Sequence, residues 1–221
     1  TQVEKRAMTT DNKQIVYYLA TADISRNDVS VVANYKDNDA SSWGMQRVSD
    51  QMKAAEKKHS NADDADNYIK NYKAIAGINA DFYNMSNGAP SGALVMNGVE
   101  YNGAGNEDFF AILKDGSPVI GTSSEWASYK NQVKEAVGAG GILVKDGKMA
   151  FDPSTSYTSN RVSRTCVGIT YDGKVVFMVL DGRQEPFSAG GSPEEIAQVM
   201  IDAGCVSAFN LDGGGSSSFV S

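Results

Sequence analysis

Ala208-Phe209-Asn210-Leu211-Asp212-Gly213-Gly214-Gly215-Ser216-Ser217-Ser218 is a short apolar run that delivers an Asn-x-Asp pair into three glycines and then hydroxyls. A strand ending this way sets a carboxylate beside main-chain N–H groups that no side chain shields, which is what sugar or phosphate oxygens need to reach the backbone. A flexible Gly/Ser linker has a similar composition. Linkers, however, rarely begin at the end of an apolar strand with Asn-x-Asp, and Ser218-Phe219-Val220 reads as a return to strand. The element occurs again upstream, where the apolar run from Ala74 to Ala80 ends in Asn79-Ala80-Asp81. A third strand, Lys174 to Leu180, ends in Asp181-Gly182-Arg183. Three strand ends each carrying an aspartate predict one shared cleft.

Working outward, the chain reads as β-rich with a few helices. Asn97-Gly98, Asp115-Gly116, Asp146-Gly147 and Asp172-Gly173 each separate two runs of strand character, and such dipeptides are the strongest short-range hairpin signal. Gln14 to Leu19 and Val29 to Ala33 read as further strands, Val48 to Lys58 and Ser124 to Ala136 as helices. The best-marked helix runs from Ser192 to Ala203: Ser192 caps it, Pro193 fits its first turn, Glu195 completes a capping box and Gly204 stops it. Ile196, Val199 and Met200 form its apolar stripe, a core face. The expected class is α+β, a mainly antiparallel or mixed sheet with a few packed helices and an active cleft at strand ends.

Composition excludes several functions. The 221 residues carry a net charge of −7 and no run of Lys or Arg, which argues against nucleic acid or an anionic membrane as partner. No segment approaches the roughly 18 consecutive apolar residues of a membrane span. The polar N-terminus, Thr1-Gln2-Val3-Glu4-Lys5, lacks an initiator Met and is compatible with export. His59, the single histidine, sits in a charged stretch that reads as a solvated helix end, so a Ser-His-Asp or Cys-His apparatus and a His-rich zinc site are not expected. Cys166 and Cys205 lack metal-ligand spacing and fit either one disulfide or two buried thiols. Asn84-Met85-Ser86 matches a glycosylation sequon, but its closeness to Asp81 speaks against a bulky glycan.

Asn79-Ala80-Asp81-Phe82-Tyr83, Arg164-Thr165-Cys166-Val167-Gly168, Asp181-Gly182-Arg183-Gln184, the helix from Ser192, and Asn210-Leu211-Asp212-Gly213-Gly214-Gly215-Ser216-Ser217 occur in the order found in the phosphodiester glycosidase family. The chain resembles that family over most of its length. The resemblance implies one domain across residues 1–221, shorter at the C-terminus than most members, in a secreted or cell-surface protein. It implies hydrolysis of the glycosidic bond of a sugar-phosphate diester, giving free sugar and a phosphate monoester. No cofactor and no metal are implied.

Such a reaction has a weakly basic leaving group, so protonating it matters less than for an ordinary glycoside. The site needs donors around the phosphate and a carboxylate to stabilise the oxocarbenium-like centre, attack it or activate water. Asp81, Asp181 and Asp212 are the candidate catalytic carboxylates. Arg164 and Arg183 are candidates for bidentate phosphate contacts, and Gly213, Gly214 and Gly215 for main-chain N–H donors. Asn79 and Asn210 suit sugar hydroxyls or turn pinning, while Ser216 and Ser217 suit hydrogen bonding, since no histidine is at hand to activate them. Glu185 has no clear role. Two alternatives share these residues: a secreted module that binds glycan or sugar phosphate without turnover, and a metal-dependent phosphoesterase in which the aspartates hold Mg²⁺ or Ca²⁺.

Overall fold

The four Asn-Gly and Asp-Gly dipeptides all sit at hairpin turns. Asn97 and Gly98 (φ 48° and 78°) join β4 (Leu94–Met96) to β5 (Val99–Asn102), and Asp146 and Gly147 (φ 51° and 71°) join β9 (Ile142–Lys145) to β10 (Lys148–Met149). Gly116 (φ 89°) turns β6 (Asp108–Leu113) into β7 (Pro118–Gly121), and Gly173 (φ 78°) turns β11 (Arg164–Thr170) into β12 (Val175–Leu180). A fifth hairpin, absent from the sequence reading, turns through Asp11 and Asn12 and joins β1 (Gln2–Thr10) to β2 (Lys13–Ala22). Its first strand is exposed on most positions of both faces, so no apolar alternation marked it.

The structure, a computed structural model, describes residues 1–60, 73–150 and 160–221. The side chain of His59, read above as solvated, lies outside what is described. Every strand pairing among the described residues is antiparallel. With β13 (Cys205–Asn210), the first sheet runs β1-β2-β12-β11-β13-β9-β10, and with β8 (Val133–Ala139) the second runs β5-β4-β8-β6-β7. A two-stranded ribbon pairs β3 (Gly77–Ile78) with β14 (Phe219–Val220). The class is α+β, as expected.

Among the described residues three α-helices complete the fold: α1 (Val48–Ser60), the single turn α2 (Trp126–Tyr129) and α3 (Pro193–Asp202). Helix α3 begins as its sequence dictates. The Ser192 hydroxyl accepts from the Glu195 N–H while the Glu195 carboxylate accepts from the Ser192 N–H. Its Ile196, Val199 and Met200 pack on Cys166, Met178 and Leu180 across one face of the large sheet. The opposite face meets the second sheet through Val167, Val175, Phe209 and Leu211 against Phe110, Ile112 and Ala139. No helix among the described residues is long and apolar enough to cross a membrane.

Three sequence expectations are corrected. Residues 124–136 do not form one helix: after α2 the chain enters β8, the central strand of the second sheet, where Val133 and Ala136 are buried. Pairing on both edges outweighs the modest helix preference of this stretch. Val29 to Ala33 carry no strand, because their apolar side chains pack onto the sheets while the Ala33 N–H donates to the Glu135 carboxylate (3.1 Å) rather than to a neighbouring strand. Of residues 74–80 only Gly77–Ile78 pair as strand. The cysteines are two buried free thiols, both pushed up to about 12 by burial, so the disulfide alternative falls away.

Candidate active site

The first residues of β11 form the spine of the site. Arg164 lies opposite Leu180 of β12, which places Asp181 on one side of Ser163. On the other side the chain leaving β13 stays paired beyond its last strand residue: Leu211 N–H donates to Thr165 O (2.8 Å) and Gly214 N–H to Ser163 O (2.8 Å). Gly182 and Gly213 are needed for this approach, since a Cβ would come within 2.4 Å of Ser163 N at one and 2.9 Å of Ser163 O at the other. The two Asp-Gly motifs are thus explained first by close backbone packing.

The segment 79–81 is clasped to this edge. Asp212 N–H donates to Ala80 O (2.8 Å), and Asn79 Nδ2 donates to Asp212 O (2.7 Å). Asn79 Oδ1 accepts both the Thr165 hydroxyl (2.7 Å) and Ser218 N–H (3.0 Å). Asn79 is therefore the clasp joining the two aspartate-bearing segments, β11 and the C-terminal ribbon. Asn79, Asp81, Asp212, Gly215, Ser216 and Ser217 line one cleft.

Asp81 is half-buried. Its Oδ2 accepts the Gly92 N–H (2.6 Å), and Gly92 is held there by direct backbone contact with Gly138 of β8. Burial pushes the Asp81 carboxyl up to about 7, opposed by N–H groups of Gly92, Phe82 and Ser91 and reinforced by the charge of Glu107. Its Oδ1 and the Ser217 hydroxyl are both buried with no hydrogen-bond partner among the described residues. Buried polar atoms are almost always satisfied, so two orphans in one cleft mark a place where ligand or water oxygens belong.

The remaining candidates are placed differently. Asp181 does not line that cleft; it stands on the same sheet edge across Ser163. Arg164 is 5 % exposed and donates to Gly191 O (3.4 Å) and Asn160 O (3.2 Å), so part of its guanidinium holds loop backbone. Arg183 is exposed, with left-handed φ (57°). Asn210 is 4 % exposed within β13. Gly213 N–H is taken by Asp212 Oδ1 (2.8 Å) and Gly214 N–H by Ser163 O; Gly215, exposed with open space around it, is the member of the triplet that lines the cleft. Glu185 pairs with Lys13 at the surface (3.2 Å). Among the described residues no three His, Cys, Asp or Glu side chains gather as metal ligands. Thr165 and Glu107 were missed by the sequence reading, since only the strand pairing and the packing around Gly92 give them a role.

Buried carboxyls also set an expected pH dependence. Glu135, buried in β8, accepts Ala33 N–H (3.1 Å) and Asn97 N–H (3.2 Å), and burial pushes it up to about 7 against those N–H groups and Lys134. Asp81 and Glu135 thus keep their protons in the fold well above their ordinary 3.8 and 4.5. The unfolded chain releases these protons first, so the contribution is full below about 4 and is lost as pH rises to about 7. Replacing either acid with its amide removes the loss. The denaturant midpoints of Asp81→Asn and Glu135→Gln, each relative to the parent, are expected to be more favourable at pH 8 than at pH 4.5; equal differences at the two pH values would refute this.

The phosphodiester glycosidase family model matches residues 72–221, and the chain belongs to that family. It is 30% identical over 160 residues to the N-acetylglucosamine-1-phosphodiester alpha-N-acetylglucosaminidase of Bos taurus, covering 64% of this chain and 30% of that protein. It is 28% identical over 158 residues to an SPbeta prophage-derived protein of Bacillus subtilis, covering 67% of this chain and 24% of that one. The chain thus spans under a third of the length of these relatives. The zebrafish N-acetylglucosamine-1-phosphodiester alpha-N-acetylglucosaminidase catalytic domain, solved in a form auto-inhibited by its pro-peptide, superposes with a TM-score of 0.70 at 16% identity, covering 99% of this chain and 72% of that one. A protein from Synechocystis superposes with a TM-score of 0.64 at 16% identity, covering 98% of this chain and 57% of that one.

Proposed function

We propose that the chain hydrolyses a glycosyl phosphodiester at the anomeric carbon, releasing free sugar and a phosphate monoester, in a secreted or cell-surface setting. The observation that carries this reading is the pairing of Asp81 with Asp212 through adjoining backbone, in a cleft whose Asp81 Oδ1 and Ser217 Oγ are buried without partners. The bovine relative's name supplies the first substrate to try, an N-acetylglucosamine 1-phosphodiester.

In this mechanism Asp212 faces the anomeric carbon and its carboxylate stabilises the developing positive charge. Asp81, whose carboxyl sits near 7, takes the proton of the attacking water, the value at which a base is effective near neutrality. The bond from the anomeric carbon to the phosphate oxygen breaks with its electron pair on the phosphate. That leaving group is weakly basic enough to depart without a strong acid. Ser217 and the exposed Gly215 turn donate hydrogen bonds to substrate oxygens, and Asn79 holds the two acid-bearing segments together.

Hydrolysis in ¹⁸O-labelled water tests the bond broken. The expected result is label in the released sugar. Label in the phosphate instead means attack at phosphorus, and the phosphoesterase reading replaces this one. Saturable binding of the diester without any product would leave the binding-module reading.

A further inference from the structure

A row of paired residues crosses the large sheet from the candidate cleft to its far edge. Leu211 adjoins Thr165 through a 2.8 Å backbone hydrogen bond, Thr165 lies opposite Val179, Val179 opposite Tyr18, and Tyr18 opposite Lys5. Four strand spacings make this about 19 Å from the neighbour of Asp212 to Lys5. Both ends lie on one face. At the cleft end the Thr165 hydroxyl meets Asn79, and at the other the Tyr18 ring stacks on Phe219 (5.5 Å), in the ribbon that follows Ser217.

At the far end the Lys5 ammonium lies 5.7 Å from the centroid of Tyr18 and 5.2 Å from that of Phe187. Two aromatic faces hold a cation in place without neutralising it, and Lys5 forms no ion pair among the described residues. Its donors stay available to an anion in a protein of net charge −7. Phe187 is 41% exposed, so the lysine it flanks stands at the solvent-facing surface. Between the lysine and the cleft stands Asp181, two residues past Val179 and so on the same side of the strand. The Asp181 carboxylate accepts no hydrogen bond and forms no ion pair among the described residues. Burial raises its carboxyl and the Lys5 charge lowers it, which puts the two groups within electrostatic reach.

These features line up as an acceptor and then a caged cation along one rim, leading away from the reacting centre. We propose that Lys5, bracketed by Tyr18 and Phe187, is the distal anion-binding end of an extended leaving-group subsite. The preferred substrate is then an oligomer of phosphodiester-linked sugars or polyols rather than a small diester, with Asp181 accepting a hydroxyl of the unit that joins two phosphates. This rests on the hydrolase reading for the reacting end, and on the sheet geometry alone for the distal end.

Two probes separate the two: the methyl diester of N-acetylglucosamine 1-phosphate, with one phosphate, and a synthetic trimer of phosphodiester-linked glycosyl units. Their dissociation constants are measured by calorimetry in the Asp212→Asn background, with Lys5 intact, Lys5→Met and Lys5→Arg. The trimer is expected to bind about 10-fold or more tightly than the methyl diester, the scale of a charged hydrogen bond. Lys5→Met is expected to collapse that ratio about 10-fold and Lys5→Arg to restore most of it. In the otherwise unsubstituted protein, Lys5→Met should act on KM for the trimer rather than on kcat. Equal affinity for the two probes, or a ratio unmoved by Lys5→Met, overturns the subsite. A Lys5-dependent ratio with no turnover of either probe sustains the subsite and defeats the hydrolase reading.

Discussion

Asp212→Asn is expected to abolish turnover, with a loss of roughly 10³-fold or more in kcat, equivalent to about 4 kcal/mol of transition-state stabilisation, while leaving the fold intact. The reason is in the turn itself. Asp212 Oδ1 accepts Gly213 N–H and the Asp212 carbonyl accepts Asn79 Nδ2, and an amide oxygen at the same position can keep the first bond while the second is main chain. Only the charge proposed to face the anomeric carbon is removed. Released sugar, measured against a thermal melt of the same sample, checks both halves. Full activity on a substrate the parent cleaves would remove Asp212 from the mechanism.

Asn79→Ala is expected to have the largest effect on stability, a loss of about 2–4 kcal/mol from stranding several buried hydrogen-bonding groups at once. The substitution strips partners from Asp212 O, the Thr165 hydroxyl and Ser218 N–H, and Thr165 is completely buried. Activity should fall with stability, because the same side chain sets the spacing of Asp81 and Asp212. Asn79→Asp separates the two effects: it keeps an acceptor for Thr165 and Ser218 but turns a carboxylate oxygen towards the Asp212 carbonyl. Urea midpoints order the three proteins, parent above both variants. An Asn79→Ala protein as stable as the parent would show that the clasp is incidental.

Local features were legible because their causes lie within a few residues. Asn97-Gly98 and Asp146-Gly147 adopt positive φ and turn hairpins, and Ser192, Pro193, Glu195 and Gly204 start and stop α3, since each signal is complete in its own stretch. The Asn-x-Asp segments at 79–81 and 210–212 were legible too, and they meet as their repetition implied. Residues 133–136 were not, because the backbone of Lys134-Glu135-Ala136 is decided by β4 and β6 on either side of β8. Arg164 read as a phosphate ligand from its position before Thr165-Cys166. That it is buried against the carbonyls of Asn160 and Gly191 depends on a loop 27 residues away.

The sequence by itself determined the hairpins, the capped helix, the antiparallel bias and the identity of the acids, for those follow from turn chemistry, capping and period, which act over one to four residues. The tertiary structure alone decided which acids share a cleft. Strand order puts Asp212 beside Ala80 and sets Asp181 across Ser163, close packing at Gly182 and Gly213 uses the glycines for backbone contact, and burial lifts Asp81 to about 7 against the opposing Gly92 N–H. It also brought Lys5 to Tyr18 and Phe187. Desolvation and register depend on neighbours from 11 residues away, as Gly92 is from Asp81, to 133, as Asp212 is from Asn79, and no local pattern carries them.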